Sequence, residues 1–471
     1  MASLAGMLRA AGYAVTGSDQ AIYPPMSTVL ADLGIAVQEG YRAENLVPAP
    51  DLVVIGNAMS RGNPEVEAVL AGGIPYCSMP EALMRLFMGA RRRAVIVGTH
   101  GKTTSSALLS WMLHESGGDP SFMVGGACLN FAHNYRLGQG PWFVTEGDEY
   151  DTAFFDKGPK FLHYDADALL VNAVEFDHAD IYRNLDHVKQ AFRTLLERTR
   201  PDVPIVASAD FPELRDVVAT TGRTVTWTHV PGGPGAPATA GAHVPEVEGP
   251  LWQAVDLGEA EGRTTFTVLT PDGTRFRGAS PLPGAMNVAN ALGVTVLAAS
   301  IGVPVETSLA ALRTFRGVRR RQEVVGEGGG VTLIDDFAHH PTAVGATLTA
   351  LRARYPDRRL WVLFEPRSNT SRRRVFQTAF ADAFALADRV TVAGVHRQEQ
   401  LVADERFSPA ELVATLTDRH VNAETIDEID TMATLVATEA TRGDVVILMS
   451  NGAFGGLGVR LIERLSLSAP A

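Results

Sequence analysis

Gly98-Thr99-His100-Gly101-Lys102-Thr103-Thr104 lies between the apolar run Val95-Ile96-Val97 and the helical pattern Ala107, Leu108, Trp111, Met112. A strand, a glycine loop and a helix start in that order make a phosphate site. Backbone N–H groups of the loop and of the helix N-terminus converge on one anion, and Lys102 adds a mobile positive charge. Thr103 can place its hydroxyl on a magnesium ion bridging two phosphates. The loop is shorter than the general G-x-x-x-x-G-K-[ST] pattern, because Ile96 stands where that pattern has its first glycine. Gly98, Thr99, His100, Gly101, Lys102, Thr103 and Thr104 are the candidate nucleotide contacts.

Two further groups follow apolar runs. After Trp142 to Thr145 come Glu146, Asp148, Glu149 and Asp151. Hard cations take oxygen ligands, and a carboxylate at the C-terminal edge of a parallel strand lies beside such a loop, so Glu146 joins Thr103 as a candidate magnesium ligand. Next, Asn172-Ala173-Val174-Glu175-Phe176-Asp177-His178-Ala179-Asp180 places His178 among acids at a strand end. Such an imidazole can ligate a second magnesium or contact a transferring phosphoryl group, although a lone histidine is more often structural. Ser18 and Asp19 follow the apolar stretch Ala14 to Thr16, where an acid can reach a ribose hydroxyl or simply cap a helix. Arg320 and Arg367 carry guanidinium forks that suit phosphate and carboxylate.

The elements that must hold these residues alternate between short apolar runs and helical patterns, which favours parallel sheets. At about 150 residues per domain the 471-residue chain has room for roughly three domains. Residues 1–92 read as one small α/β unit with strands at Ala14 to Thr16, Ala36 to Gln38, Leu52 to Ile55 and Pro75 to Cys77. Residues 93–318 read as a central unit carrying the phosphate loop, with strands at Ala168 to Asn172 and Ile205 to Ala207, an exposed connection over Pro231 to Gly249, and a hairpin of Thr264 to Leu269 with Thr274 to Arg277. Residues 319–471 read as a third unit, with strands at Thr332 to Ile334, Leu360 to Phe364, Arg389 to Ala393 and Val445 to Met449. The expected fold class is α/β, three domains on mostly parallel sheets with a P-loop ATPase-like centre. The chain opens directly on the helical Met1-Ala2-Ser3-Leu4-Ala5-Gly6, whereas a nucleotide-binding unit of this kind normally opens with a strand and a glycine turn; that first strand is expected to be missing.

Composition narrows the function. A formal charge of −12 argues against nucleic-acid binding, which needs a basic surface. No apolar run approaches the ~18 residues of a membrane span, and no leader pattern stands at the start. Two cysteines, Cys77 and Cys128, offer no disulfide framework or thiolate cluster and fit a reducing cytoplasm.

The phosphate loop, the Glu146-Gly147-Asp148-Glu149-Tyr150-Asp151 acids, Glu175-Phe176-Asp177-His178, Asn287-Val288-Ala289-Asn290, Asp335-Asp336-Phe337-Ala338-His339-His340-Pro341-Thr342 and Phe364-Glu365-Pro366-Arg367-Ser368-Asn369-Thr370 occur in the order seen in the Mur ligases. The resemblance covers essentially the whole chain. Tyr150 to Lys157, Arg367-Ser368-Asn369-Thr370 and Ser450 to Gly456 are similar to the branch that adds a peptide rather than a single amino acid.

The resemblance implies an ATP- and Mg2+-dependent ligase of peptidoglycan recycling, joining UDP-N-acetylmuramate to L-alanyl-γ-D-glutamyl-meso-diaminopimelate through an acyl phosphate. Residues 1–92 would bind the UDP-sugar, 93–318 ATP, and 319–471 the peptide. Lys102 and His178 would be catalytic, with magnesium on Thr103, Glu146 and His178. Asn287, Asn290 and Asp336 would be nucleotide contacts. Ser18, Asp19, Arg320, His339, His340 and Arg367 would meet substrate. Met286 stands where many relatives have a histidine, and Phe192 where several carry a carbamylated lysine. Rival expectations are a UDP-N-acetylmuramate–L-alanine ligase and a truncated, non-catalytic nucleotide-binding sensor. Oligomeric state is left open.

Overall fold

The computed structural model describes residues 1–22, 26–233 and 244–467, so most of the expected Pro/Gly-rich connection over Pro231 to Gly249 lies outside the described residues. At the centre stands a ten-stranded sheet. From one edge its strands are Arg275–Ser280, Arg263–Leu269, Leu251–Ala260, Thr226–His229, Ile205–Ser208, Ala168–Val171, Arg92–Val97, Trp142–Gly147, Ser121–Met123 and Tyr135–Arg136. Neighbours from Leu251–Ala260 to Ser121–Met123 run parallel. The hairpin at one edge and the last pair at the other are antiparallel.

Successive residues of a strand point to opposite faces, and both faces here are covered. Val95, Val97, Leu169 and Val171 pack with Phe192, Leu195 and Leu196 of the helix Leu185–Arg198. Ile96, Ala168 and Leu170 pack on the other side with Leu108, Leu109 and Met112 of the helix Lys102–Glu115, and with Val288, Leu292 and Val296 of the helix Ala285–Ser300. That double burial is why these strands read as continuous apolar runs.

The C-terminal part forms a six-stranded sheet. Its order is Glu323–Gly328, Val331–Asp336, Asp444–Met449, Arg359–Phe364, Arg389–Val392 and Asn422–Thr425, parallel except for the first pair.

The N-terminal part departs from the single sheet expected. Thr16–Asp19 pairs in parallel with Ala36–Glu39, and Val53–Ile55 with Tyr76–Ser78, as two separate ribbons. The first strand is also shifted from Ala14 to Thr16. Its residues Thr16, Gly17, Ser18 and Asp19 are largely exposed and are ordered by pairing with the next strand, so an apolar run does not mark them. Ser18 and Asp19 therefore lie on the strand rather than after it.

Candidate active site

Arg92–Val97 sits between Trp142–Gly147 and Ala168–Val171. Chain connections leave it in opposite directions at this point, so the C-terminal ends of three adjacent parallel strands open a crevice. The phosphate loop, Glu146 and the segment after Asn172 leave from those three ends. Gly98 and Gly101 have φ of 129° and 79°, conformations that favour glycine. A Cβ on Gly98 would collide with the Ala173 backbone, and one on Gly101 with Asn290 Oδ1, so the loop is pressed against both the neighbouring strand end and the helix Ala285–Ser300.

Lys102 Nζ donates to the Gly98 carbonyl at 2.6 Å and to Glu149 Oε2 at 2.8 Å. Burial opposes the ammonium, but the charges of Glu149 and Asp148 outweigh it and hold the Lys102 pKa above its usual value. Glu149 is 1% exposed and also meets His178 Nε2 at 3.2 Å. Burial works against this carboxylate too, yet Lys102 and His178 bring its pKa down to about 2. Burial likewise opposes the His178 cation, and the bond to Glu149 with the charge of Asp177 raises its pKa to about 8. Glu149 thus ties together the two residues expected to be catalytic. The acid run signalled it; its spacing alone did not separate it from Glu146.

Thr103 Oγ1 donates to Glu146 Oε2 at 2.9 Å, and Gly125 N–H donates to Oε1. Burial and the nearby Asp148 raise the Glu146 pKa. Two hard oxygen donors held together, one a carboxylate short of positive charge, make a donor set that fits magnesium. His178 lies apart from that pair, across Lys102 and Glu149.

The C-terminal part closes over the loop. Arg321 points its Nη2 at Thr103 Oγ1, 3.4 Å away, and stacks 4.5 Å from the Phe337 ring. Burial lowers its pKa, against the charges of Asp336 and Glu146. Arg320, the residue expected to contact an anion, is turned elsewhere: it pairs with Asp335 at 3.1 Å and donates to the Ser450 carbonyl at 2.6 Å. Among the described residues Arg321, not Arg320, lines the cleft.

Asp336 accepts N–H bonds from Ala338 and Gln322, and burial pushes its pKa up to about 6. His339 Nδ1 lies 2.9 Å from the Phe337 carbonyl, and burial lowers the His339 pKa. A carbonyl only accepts, so Nδ1 carries the proton and Nε2 keeps a lone pair. His340 caps the helix Pro341–Arg354 and reaches the Phe176 carbonyl at 3.1 Å. Burial, then the neighbouring His100, brings its pKa down to about 4.

Asn287 donates to the Pro283 carbonyl and to Gln322 Oε1, both at 2.8 Å. Asn290 Oδ1 accepts from Ser105 Oγ at 3.3 Å, so that end of the side chain braces the phosphate-loop helix. Gln322 was not singled out in the sequence; it lines the cleft with its amide beside Met286 Sδ at 3.6 Å.

One cleft of about 1650 Å³ collects these groups. Thr99, His100, Gly101, Lys102, Thr103, Thr104, Glu146, His178, Asn287, Asn290, Asp336, His339 and His340 line it, and it runs on to Ser18, Asp19 and the facing edges of the two N-terminal ribbons. Ser18 Oγ donates to Glu65 Oε2 at 2.6 Å. Arg367 does not line the cleft. It packs against Gly452, 3.4 Å from Glu365 Oε1, at the C-terminal ends of the neighbouring strands Arg359–Phe364 and Asp444–Met449.

Three family profiles match the chain: "Mur ligase family, catalytic domain" over 1–91, "Mur ligase middle domain" over 96–298 and "Mur ligase, glutamate ligase domain" over 320–452. The UDP-N-acetylmuramate–L-alanyl-γ-D-glutamyl-meso-2,6-diaminoheptandioate ligase of Escherichia coli is 37% identical, covering 100% of this chain and 97% of its own. A UDP-N-acetylmuramate–L-alanine ligase of Paracidovorax citrulli is 32% identical, over 100% and 95%. The crystal structure of a murein peptide ligase from Psychrobacter arcticus superposes with a TM-score of 0.72 at 34% identity, covering 100% and 97%.

Proposed function

The chain belongs to the Mur ligase family, and from that premise we propose that it joins UDP-N-acetylmuramate to L-alanyl-γ-D-glutamyl-meso-diaminopimelate in an ATP-dependent, amide-forming reaction of peptidoglycan recycling. The observation that carries this reading is the continuous cleft from the N-terminal ribbons past Lys102 to His339, which gives a sugar nucleotide, ATP and an incoming amine one meeting place. Among the described residues no helix is long and apolar enough to cross a membrane, and we assign the reaction to the cytoplasm, where ATP is supplied.

Bound ATP with magnesium supplies the phosphoryl group that activates the substrate carboxylate. Lys102, held in the structure by the Gly98 carbonyl and Glu149, would supply the positive charge for the β and γ phosphates. Thr103 and Glu146 would hold magnesium, and His178 in its neutral form would ligate a second ion; the ions would neutralise charge developing on the phosphoryl oxygens. Arg321, whose guanidinium faces Thr103, would add positive charge from the C-terminal domain at the same end of the cleft. Such preorganised charge carries most of the rate enhancement in phosphoryl transfer. The Nε2 lone pair of His339 takes a proton from the attacking amine. Asn287 and Gln322 line the base end of the nucleotide site. Arg367 meets a peptide carboxylate from the strand ends beside the cleft, and Ser18 and Asp19 lie at the sugar-nucleotide end.

Comparison of kcat/KM for the tripeptide and for free L-alanine tests the assignment. Preference for the tripeptide, weakened most by Arg367→Ala, supports it. Preference for L-alanine makes the chain an alanine-adding ligase, and ATP binding without amide formation makes it a sensor.

A further inference from the structure

His100, Glu175 and His340 come from three separate elements: the phosphate loop, the segment after Ala168–Val171, and the cap of the C-terminal helix Pro341–Arg354. Their ligand atoms all lie within 4.8 Å of one another. His100 Nε2 stands 2.7 Å from Glu175 Oε2, and the His100 and His340 rings are 4.8 Å apart between centroids. Thr342 Oγ1 donates to Glu175 Oε1 at 3.2 Å, which leaves the other carboxylate oxygen presented to the histidines. None of the three is among the expected magnesium ligands Thr103, Glu146 and His178.

We propose that His100, Glu175 and His340 form a transition-metal site that clips the C-terminal domain to the phosphate loop, taking Zn2+ or a similar borderline divalent ion in preference to Mg2+. Two imidazoles and one carboxylate, with a water in the fourth position, form a donor set that zinc accepts. Magnesium favours an oxygen shell and holds its waters, so imidazole pairs select against it. Bonds of about 2.0–2.1 Å in a tetrahedron put ligand atoms about 3.4 Å apart, so the group tightens on binding. His340 Nδ1 accepts the Thr342 N–H at 3.3 Å and Nε2 donates to the Phe176 carbonyl at 3.1 Å, so ligation through Nδ1 replaces the helix cap and keeps the Phe176 bond as outer support, whereas ligation through Nε2 gives up both. Thr342 supplies the outer hydrogen bond that orients the carboxylate, a role second only to the ligands themselves in fixing affinity.

The site does not depend on the ligase reading and is tested without substrates. Zn2+ is titrated calorimetrically into the nucleotide-free full chain in millimolar Mg2+, with thermal unfolding of each variant recorded first. The expected result is one zinc per chain, a raised unfolding temperature, and an affinity weakened at least about tenfold by Glu175→Gln and by His340→Gln, with Thr342→Ala having a smaller effect. His178→Gln keeps the affinity, which separates this site from the magnesium centre. Co2+ in the unmutated chain, again in excess Mg2+, gives visible bands of the intensity of a four- or five-coordinate ion, a reading that needs no variant to fold. Zinc binding retained in a folded Glu175→Gln or His340→Gln variant, binding lost in His178→Gln, or only the faint bands of six-coordinate cobalt would each overturn the proposal.

Discussion

At the Lys102 end of the cleft every supporting strand is buried on both faces, and the polar groups bind one another in pairs: Lys102 with Glu149, Thr103 with Glu146, Asp336 with two backbone N–H groups. At the Ser18 end the support is two unconnected ribbons, the first largely exposed, and Ser18 bonds to one half-buried glutamate. The first region holds its polar groups in place through the chain's own partners. The second offers edges and side chains whose arrangement a ligand has to complete. Substitutions in the first should therefore damage both chemistry and folding, and those in the second mainly binding.

Lys102→Ala is expected to have the largest effect. Loss of the charge should lower kcat/KM for ligation by more than about 100-fold, in line with roughly 3 kcal/mol for one preorganised donor. Buried Glu149 is then left beside Asp148 with His178 as its remaining cation, so stability should fall in urea unfolding by less than the roughly 3 kcal/mol of a wholly unpaired buried charge. Near-normal amide formation by the purified variant would end the phosphate-loop assignment.

Arg321→Ala sharpens the contrast within the closing segment. Its guanidinium faces Thr103, so ligation should fall roughly 10- to 100-fold on the scale of a lost charge contact. Arg320→Ala, which loses a partly exposed ion pair and the Ser450 carbonyl, should cost about 1 kcal/mol of stability and leave turnover nearly intact. Equal losses of turnover in the two variants would erase the distinction.

Acid should also act on the closed region. His340 binds its proton near pH 4 in the folded chain and near 6.5 when unfolded, so between these values the unfolded state binds more protons. The His340 contribution is therefore complete above about pH 6.5 and is lost as pH drops through that window, by up to roughly 3 kcal/mol; the lowered carboxylates Glu175 and Asp177 add to the loss toward pH 4, whereas Asp336, raised to about 6, works against it. Urea midpoints measured from pH 7 to 5 in a chelating buffer should shift toward lower stability on acidification more in the unmutated chain than in His340→Gln, and equal pH dependence in the two would remove His340 as the cause.

Ser18→Ala should do least. It removes one partly buried hydrogen bond worth about 1 kcal/mol, so KM for UDP-N-acetylmuramate should rise no more than roughly fivefold with kcat unchanged. A collapse of kcat would show that the ribbon end is as tightly assembled as the phosphate end.

The same contrast governs what could be read from sequence. The phosphate loop is a local motif whose strand and helix announce themselves, and so are the doubly buried strands around it. Thr16–Asp19 and Asn422–Thr425 lack apolar runs, and Glu323–Gly328 carries two glycines; pairing with neighbours makes them strands. Adjacent arginines are equivalent in sequence, but Arg320 has φ of 61°, and the turn sends Arg320 and Arg321 to different partners. Glu149 and Gln322 could be placed only once the chain brought Lys102, His178 and Asn287 around them.

His178 sits at φ of 51°, a backbone region that costs a non-glycine residue roughly 1 kcal/mol or more. The Asp177 carboxylate accepts its N–H, and the C-terminal domain holds the same segment through Thr370 on Asp177 and Asn369 on Asp180. Pose and docking are then linked thermodynamically. Whatever favours the histidine in this pose favours the docked domain by the same factor, and an agent that undocks the domain weakens ligands of the histidine to an equal degree.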